Sequence, residues 1–168
     1  MKKTLCIVCL IFCVISITAC TKNTEQITVA KAGYVCDGIV NYGENFSCKV
    51  IANAVGGGIF SLKITEPDNM SGLTYYFDNS EMNISYDGLK GDVSVPTEYG
   101  GFAEILNEVF LKFTTSSPTV FENDGKYLYE GNNAKYNFTV AFNEQGFPLS
   151  ITVNKEQLNA TFSNWKYN

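Results

Sequence analysis

The 168 residues contain no histidine and no arginine. Without histidine, a Ser-His-Asp or Cys-His nucleophilic centre cannot be built. Zinc sites that need imidazole are excluded with it. The 12 cations are all lysines and face 17 acids, a net charge of −5. That balance leaves little to neutralise phosphates, so no nucleic-acid partner is expected. Proline is scarce, with four residues, and a long apolar run is missing. The longest, Leu5 to Ile17, would reach only about 20 Å as a helix, against a bilayer core of about 30 Å.

That run follows Met1-Lys2-Lys3, and the small residues of Ile17-Thr18-Ala19-Cys20 follow it. A basic start, a short apolar stretch and small residues before a cut describe a secretory leader. An aliphatic residue, two small residues and a cysteine also match the bacterial lipobox. The expectation is therefore a leader over residues 1–19 and a diacylglyceryl group on Cys20, anchoring the chain to the outer side of the cell membrane. An ordinary cleaved leader with a chance cysteine is the alternative. Cys6, Cys9 and Cys13 are then apolar fillers of a discarded segment. Loss of Lys2 and Lys3 leaves ten lysines against the 17 acids, so adsorption to anionic lipid heads is disfavoured and attachment falls to the lipid. Residues 20–32 read as a polar tether and residues 33–168 as one domain, expected to be a monomer. The 149 residues from Cys20 to Asn168 suit one domain with a full core.

The remainder alternates as strands do. In "KYNFTVAF", Tyr136, Phe138, Val140 and Phe142 share one face, and Lys135, Asn137, Thr139 and Ala141 the other. "LSITVN" and "LNATF" repeat the pattern, with turns at "NEQGFP" and "NKEQ". Phe60, Leu62 and Ile64 alternate in "IFSLKI". "LTYYF" and "MNISY" flank Asp78-Asn79-Ser80 as a hairpin. One segment has a helical period: Phe102, Ile105, Leu106, Val109, Phe110 and Phe113 make a single stripe. Glu108 and Lys112 sit four apart on its wet side, a weakly stabilising pair. The fold class is α+β: an antiparallel sheet with one main helix buried against it.

Cys36 and Cys48 flank a turn near residues 41–45. If that turn centres on Tyr42, Cys36 lies opposite Cys48, Tyr34 opposite Val50 and Gly38 opposite Phe46, all on one face. A structural disulfide between Cys36 and Cys48 is then expected, stabilising by roughly 3 kcal/mol. A redox-active pair is disfavoured, since the spacing is not C-x-x-C and no nearby cation would lower a thiol pKa. Free thiols are the other alternative.

Little else carries chemistry. Asp78 with Glu81, Asp87 with Asp92, and Glu122 with Asp124 are near pairs in turns, where acids serve solubility and local hydrogen bonds. None has the alternating acids of an EF-hand, and "VGGGIF" lacks the lysine of a phosphate loop. No catalytic residue, metal or cofactor is expected, and the chain is read as no enzyme.

The ordered pattern — lipobox, early hairpin, strand ending at Pro67, "GLTYYFDNSEMNISYDGL", greasy helix, terminal meander — resembles the lipoprotein-carrier superfamily of the LolA, LolB and RseB type over Tyr34 to Trp165. The resemblance implies an unclosed half-barrel with helical cover on its concave face, binding acyl chains or lipidated partners there. This chain departs from it in having one clear helix and no cavity arginine. The implied ligand is a lipid, an acyl chain or a lipidated peptide. Phe102, Leu106, Val109, Phe110, Tyr75, Phe138 and Phe142 would line its site between helix and sheet. The competing reading is that these residues fill a dry core and that the chain is a sensor or interaction module using its tyrosine-rich surface.

Overall fold

Apolar residues that alternate with polar ones need a surface with two faces, and here they build a single sheet. The computed structural model describes residues 27–79, 81–87, 89–91, 97–116, 118–123 and 125–168. Six strands come first: β1 (Tyr34–Tyr42), β2 (Phe46–Gly56), β3 (Ile59–Glu66), β4 (Leu73–Asp78), β5 (Glu81–Tyr86) and β6 (Leu89–Gly91). The helix α1 (Thr97–Thr115) follows, then β7 (Phe121–Asn123), β8 (Lys126–Asn132), β9 (Asn137–Phe142), β10 (Pro148–Val153) and β11 (Leu158–Tyr167). A short 3-10 turn at Asp68–Met70 links β3 to β4.

All pairings are antiparallel, in the order β6-β5-β4-β3-β2-β1-β11-β10-β9-β8-β7. Two meanders are thus joined through the first and last strands, from Tyr34↔Tyr167 to Tyr42↔Leu158. The sheet does not close on itself. Along β2 and β11 every second residue is buried: Cys48, Val50, Ala52 and Ala54 on one, Leu158, Ala160 and Phe162 on the other. The terminal meander has the faces read from its alternation, except that Ala141 on the outer side is also buried and that a bulge between Pro148 and Ser150 leaves Leu149 half-buried beside a buried Pro148. β6, β7 and β8 show no alternation in the sequence from which a strand could be read. β6 and β7 are three residues long, too short to show a period.

The helix stripe is buried as its period requires: Phe102, Leu106, Val109 and Phe113 have no exposed surface. Adjacent helix residues reach opposite ends of the sheet. Asn107 Nδ2 donates to the Asn79 carbonyl in the β4–β5 turn (2.9 Å). Glu108 Oε2 accepts from Asn133 Nδ2 in the β8–β9 turn (2.7 Å). β4 and β8 are seven strand spacings apart in the sheet order, about 34 Å if flat. A helix about 10 Å across touches both, so the sheet is strongly curved around it. Glu108 therefore does not serve Lys112 as expected. It holds Lys135 Nζ at 3.0 Å, tying the helix to the β8–β9 turn. At the helix C-terminus the Thr114, Thr115 and Ser116 hydroxyls bond back to the carbonyls of Phe110, Leu111 and Lys112, and Ser116 N also donates to Lys112 O (3.3 Å); such back-bonding is how hydroxyl side chains are commonly satisfied within a helix.

The β1–β2 hairpin corrects one expectation. Its turn occupies residues 43–45, with Tyr42 opposite Phe46, and Gly43 supplies a φ of +61°. Cys36 faces Ala52 and Cys48 faces Val40. The two sulfur-bearing residues are four positions out of register, about 13 Å along the strands, far beyond disulfide reach. Both are free, buried thiols. The slip is even-numbered, so every residue keeps its predicted face while changing its partner.

The leader and Cys20 lie outside the described residues, as do Asp92 and Asp124. Of the segment read as a tether, residues 27–32 lie against the sheet, with Val29 5% exposed.

Candidate functional site

All seven residues expected to line a ligand site are inside the molecule. Phe102, Leu106, Val109, Tyr75 and Phe142 have no exposed surface, and Phe110 and Phe138 have almost none. They pack mainly on one another and on neighbouring rings. Phe102 meets Tyr75 edge-on at 5.6 Å and Phe46 at 5.2 Å. Phe113 meets Phe142 at 5.5 Å. Phe138 covers Gly131 directly opposite it, where a Cβ would collide with its ring. A ring laid over a bare strand glycine is a packing device. Each such side chain contributes about 1.5–3 kcal/mol by leaving water.

Two of the seven border a hollow: Phe110 at the rim of the sheet and Phe138 on its outer face. A cleft of about 410 Å³ opens at the rim of the sheet, between the C-terminal half of α1 and the β2–β3 turn. Its apolar floor is Phe60 and Phe110, stacked with centroids 4.4 Å apart, with Ala54, Ile59 and Leu111 beside them. The turn wall is Gly56-Gly57-Gly58, all at positive φ, which glycine adopts without strain. Asn79 closes a third side. Its N–H donates to the Gly58 carbonyl (2.9 Å), and its side chain occupies the space a Cβ on Gly58 would take. Lys31 and Ala32 supply the last wall. Two further hollows of about 440 and 410 Å³ lie on the outer face of the sheet around Gly131 and Gly38. Neither is bordered by a helix residue.

Leu111, Thr114, Thr115, Ile59, Asn79 and Lys31 were missed as lining residues. The helix members lie off the apolar stripe, so periodicity points away from them. The glycine triplet was a legible signal, since it marks where a turn can expose backbone to a ligand.

The buried ionisable groups are held neutral. Burial pushes the Cys48 thiol up to about 12. Burial, then the Asp37 carboxylate, does the same for Cys36. Burial, then the neighbouring Cys48, raises the Tyr75 phenol to about 12. Tyr34 is driven higher still by burial. Neither thiol has the low pKa a nucleophile needs. Of the acid pairs, Asp78 and Glu81 face each other at the end of the β4–β5 hairpin, exposed, with Asp78 accepting from Asn79 Nδ2 at 2.9 Å. Among the described residues no cluster of three His, Cys, Asp or Glu side chains is positioned to hold a metal, and no helix is long and apolar enough to cross a membrane. Among the described residues, the buried side-chain atoms Tyr34 Oη, Trp165 Nε1 and Asn107 Oδ1 make no hydrogen bond.

No protein-family model and no curated protein matches the sequence. Solved structures do match. One is a LolA superfamily protein, NE2245 from Nitrosomonas europaea, 10% identical, covering 86% of this chain and 90% of that one at a TM-score of 0.45. Another is an uncharacterized conserved protein from Thermus thermophilus, 9% identical, covering 82% and 81% at a TM-score of 0.44.

Proposed function

We propose that this protein is a non-catalytic lipoprotein, anchored through Cys20 to the extracytoplasmic face of the cell membrane. It binds an apolar ligand, namely a lipid, an acyl chain or a lipidated peptide, in an open half-barrel whose concave face carries α1. The ligand enters at the rim cleft, where Phe110 is the one member of the seven expected lining residues that it meets. The observation that carries this reading is the cleft itself. At about 410 Å³ it falls within the roughly 300–1,000 Å³ of small-molecule sites. Its floor is aromatic and aliphatic, and the few polar groups stand at its edge.

The membrane location rests on the leader and lipobox pattern of the sequence. Replacing Cys20 with serine is expected to abolish lipid attachment and release the chain from membranes. Unchanged processing and attachment would refute the anchor. For the ligand, the chain extracted from its host membrane is examined by native mass spectrometry for co-purifying lipid. Leu111→Arg puts a charge into the cleft at a half-buried position and is expected to remove the bound species while leaving the fold intact. Lipid retained by that variant would place the site elsewhere.

A second reading has its own support. Five of the seven expected lining residues, Phe102, Leu106, Val109, Tyr75 and Phe142, border none of these hollows, as in an interaction module with a dry core. Capture of a protein partner by a lipid-free preparation would favour it.

A further inference from the structure

Residues 27–32 run as irregular chain from one turn of the sheet rim to another. At one end Ala30 N donates to Gly146 O in the β9–β10 turn (2.9 Å). The backbone there is so close that a Cβ on Gly146 would collide with the Thr28 carbonyl. At the other end Gly33 N donates to Ala54 O (2.7 Å). The Ala32 methyl would stand 2.9 Å from a Cβ built on Gly56. Between them Val29 is buried, and Ile27 and Ala30 pack against the core. Lys31 and Ala32 form one wall of the rim cleft.

Both places where this strap is anchored adjoin an aromatic box. Phe147 follows Gly146, and Tyr34 follows Gly33. Tyr34 meets Phe147 at 5.7 Å and Trp165 at 5.3 Å, and Phe147 stacks on Trp165 at 5.3 Å. Trp165 meets Phe162 at 6.0 Å, and Phe162 meets Phe110 of the cleft at 5.7 Å. A continuous path of rings therefore connects cleft and box. Within the box, Tyr34 Oη and Trp165 Nε1 are buried without a hydrogen-bond partner. A buried donor left unpaired is costly, and native structures rarely keep one without a use.

We propose that residues 27–32 are a lid. Lifting it joins the rim cleft to the aromatic box, whose two orphan donors then bind the neutral carbonyl group of an otherwise apolar ligand. The ligand part rests on the binding reading above, whereas the lid does not. The strap suits a lid because, among the described residues, one backbone hydrogen bond, Ala30 N to Gly146 O, ties residues 27–32 to the body, where the strands beside it are held by full ladders. Segments with few such ties open at the low end of a protein's free-energy range. The acceptor is neutral because a carboxylate in so apolar a box would lose its hydration.

Trp165 is the sole tryptophan, so its emission reports on the box. The full chain is reconstituted in phosphatidylcholine vesicles and quenched with acrylamide. Val29→Ser, which loosens the strap, is expected to raise the quenching constant at least threefold with a cooperative melt retained. Gly146→Ala, which displaces the strap by collision, acts in the same direction. Methyl octanoate is expected to shift Trp165 emission, and octanoate to bind at least tenfold more weakly. Tyr34→Phe weakens methyl octanoate about tenfold yet raises Tm of the free chain, since it deletes an unpaired donor. Unchanged quenching in both strap variants overturns the lid. If methyl octanoate binds, Leu111→Arg abolishes it, and Trp165 emission never moves, the box is overturned while the cleft reading stands. If the strap variants expose Trp165 but no variant binds methyl octanoate, the lid stands and the ligand assignment falls.

Discussion

The register of the β1–β2 hairpin decides which cysteine pairs can be joined. Cys36 faces Ala52 on the buried side of the sheet. Facing residues of an antiparallel pair have Cβ atoms about 4.5–5.5 Å apart, close enough for a disulfide to form with small backbone adjustments. Ala52→Cys in a Cys48→Ala background should therefore oxidise to a bridge between Cys36 and the introduced thiol. The loop it closes is only slightly longer than the ~15 residues for which chain entropy gives about 3 kcal/mol. The extra sulfur in a packed core costs about 1–3 kcal/mol, but that cost is common to the oxidised and reduced forms. Comparing these two forms of the one variant isolates the bridge. With a urea m-value of about 2 kcal/mol per molar, the oxidised midpoint should lie about 1.5 M above the reduced one. The unaltered chain should show no dependence on reductant, and both thiols should be recovered free after denaturation in the presence of alkylating agent. The opposite outcome is a reductant-sensitive midpoint in the unaltered chain with none in the variant. It would mean the turn centres on Tyr42 after all and would refute the reasoning.

Other expectations follow from burial. Phe110→Ala should cost about 3–5 kcal/mol by urea denaturation, because its ring packs on Phe60, Phe113 and Phe162. Phe121→Ala, at 37% exposed, should stay within about 0.5 kcal/mol, and equal effects would contradict the core assignment. Stability should fall as pH rises. The unfolded thiols ionise from about pH 8.5, whereas Cys36 and Cys48 hold their protons up to about 12 in the folded chain. The unfolded state then binds fewer protons, so stability is full below about pH 8.5 and is lost progressively toward pH 12. Urea midpoints measured from pH 7 to 11 should trace this loss, and Cys48→Ala should flatten it; a flat profile in the unaltered chain would contradict the burial of the thiols. Lys135→Ala should cost less than about 1 kcal/mol, because its side chain is 65% exposed; a larger loss by thermal melt would give that ion pair a structural weight its exposure denies.

Sequence alone settled which residues of the strands and of α1 face inward, because that depends only on local period. Tyr136, Phe138, Val140, Phe142 and the Phe102–Phe113 stripe are buried where alternation and the 3.6 period put them. Even the misplaced turn left these faces intact, since a slip by an even number preserves them. Partners are a different matter. Which residue lies across from Cys36 depends on where the chain reverses, and Asn41 to Asn45 offers several turn residues with nearly equal claims. The site was hidden for a related reason. Apolar residues that could line a cavity and apolar residues that fill a core have the same local signature. Tertiary packing alone sent Phe102, Leu106 and Tyr75 into a filled interior and left space beside Leu111, Gly57 and Lys31. Those cleft residues come from segments far apart in the chain, and their meeting is a consequence of sheet curvature, which depends on contacts from both ends of the sheet to one helix.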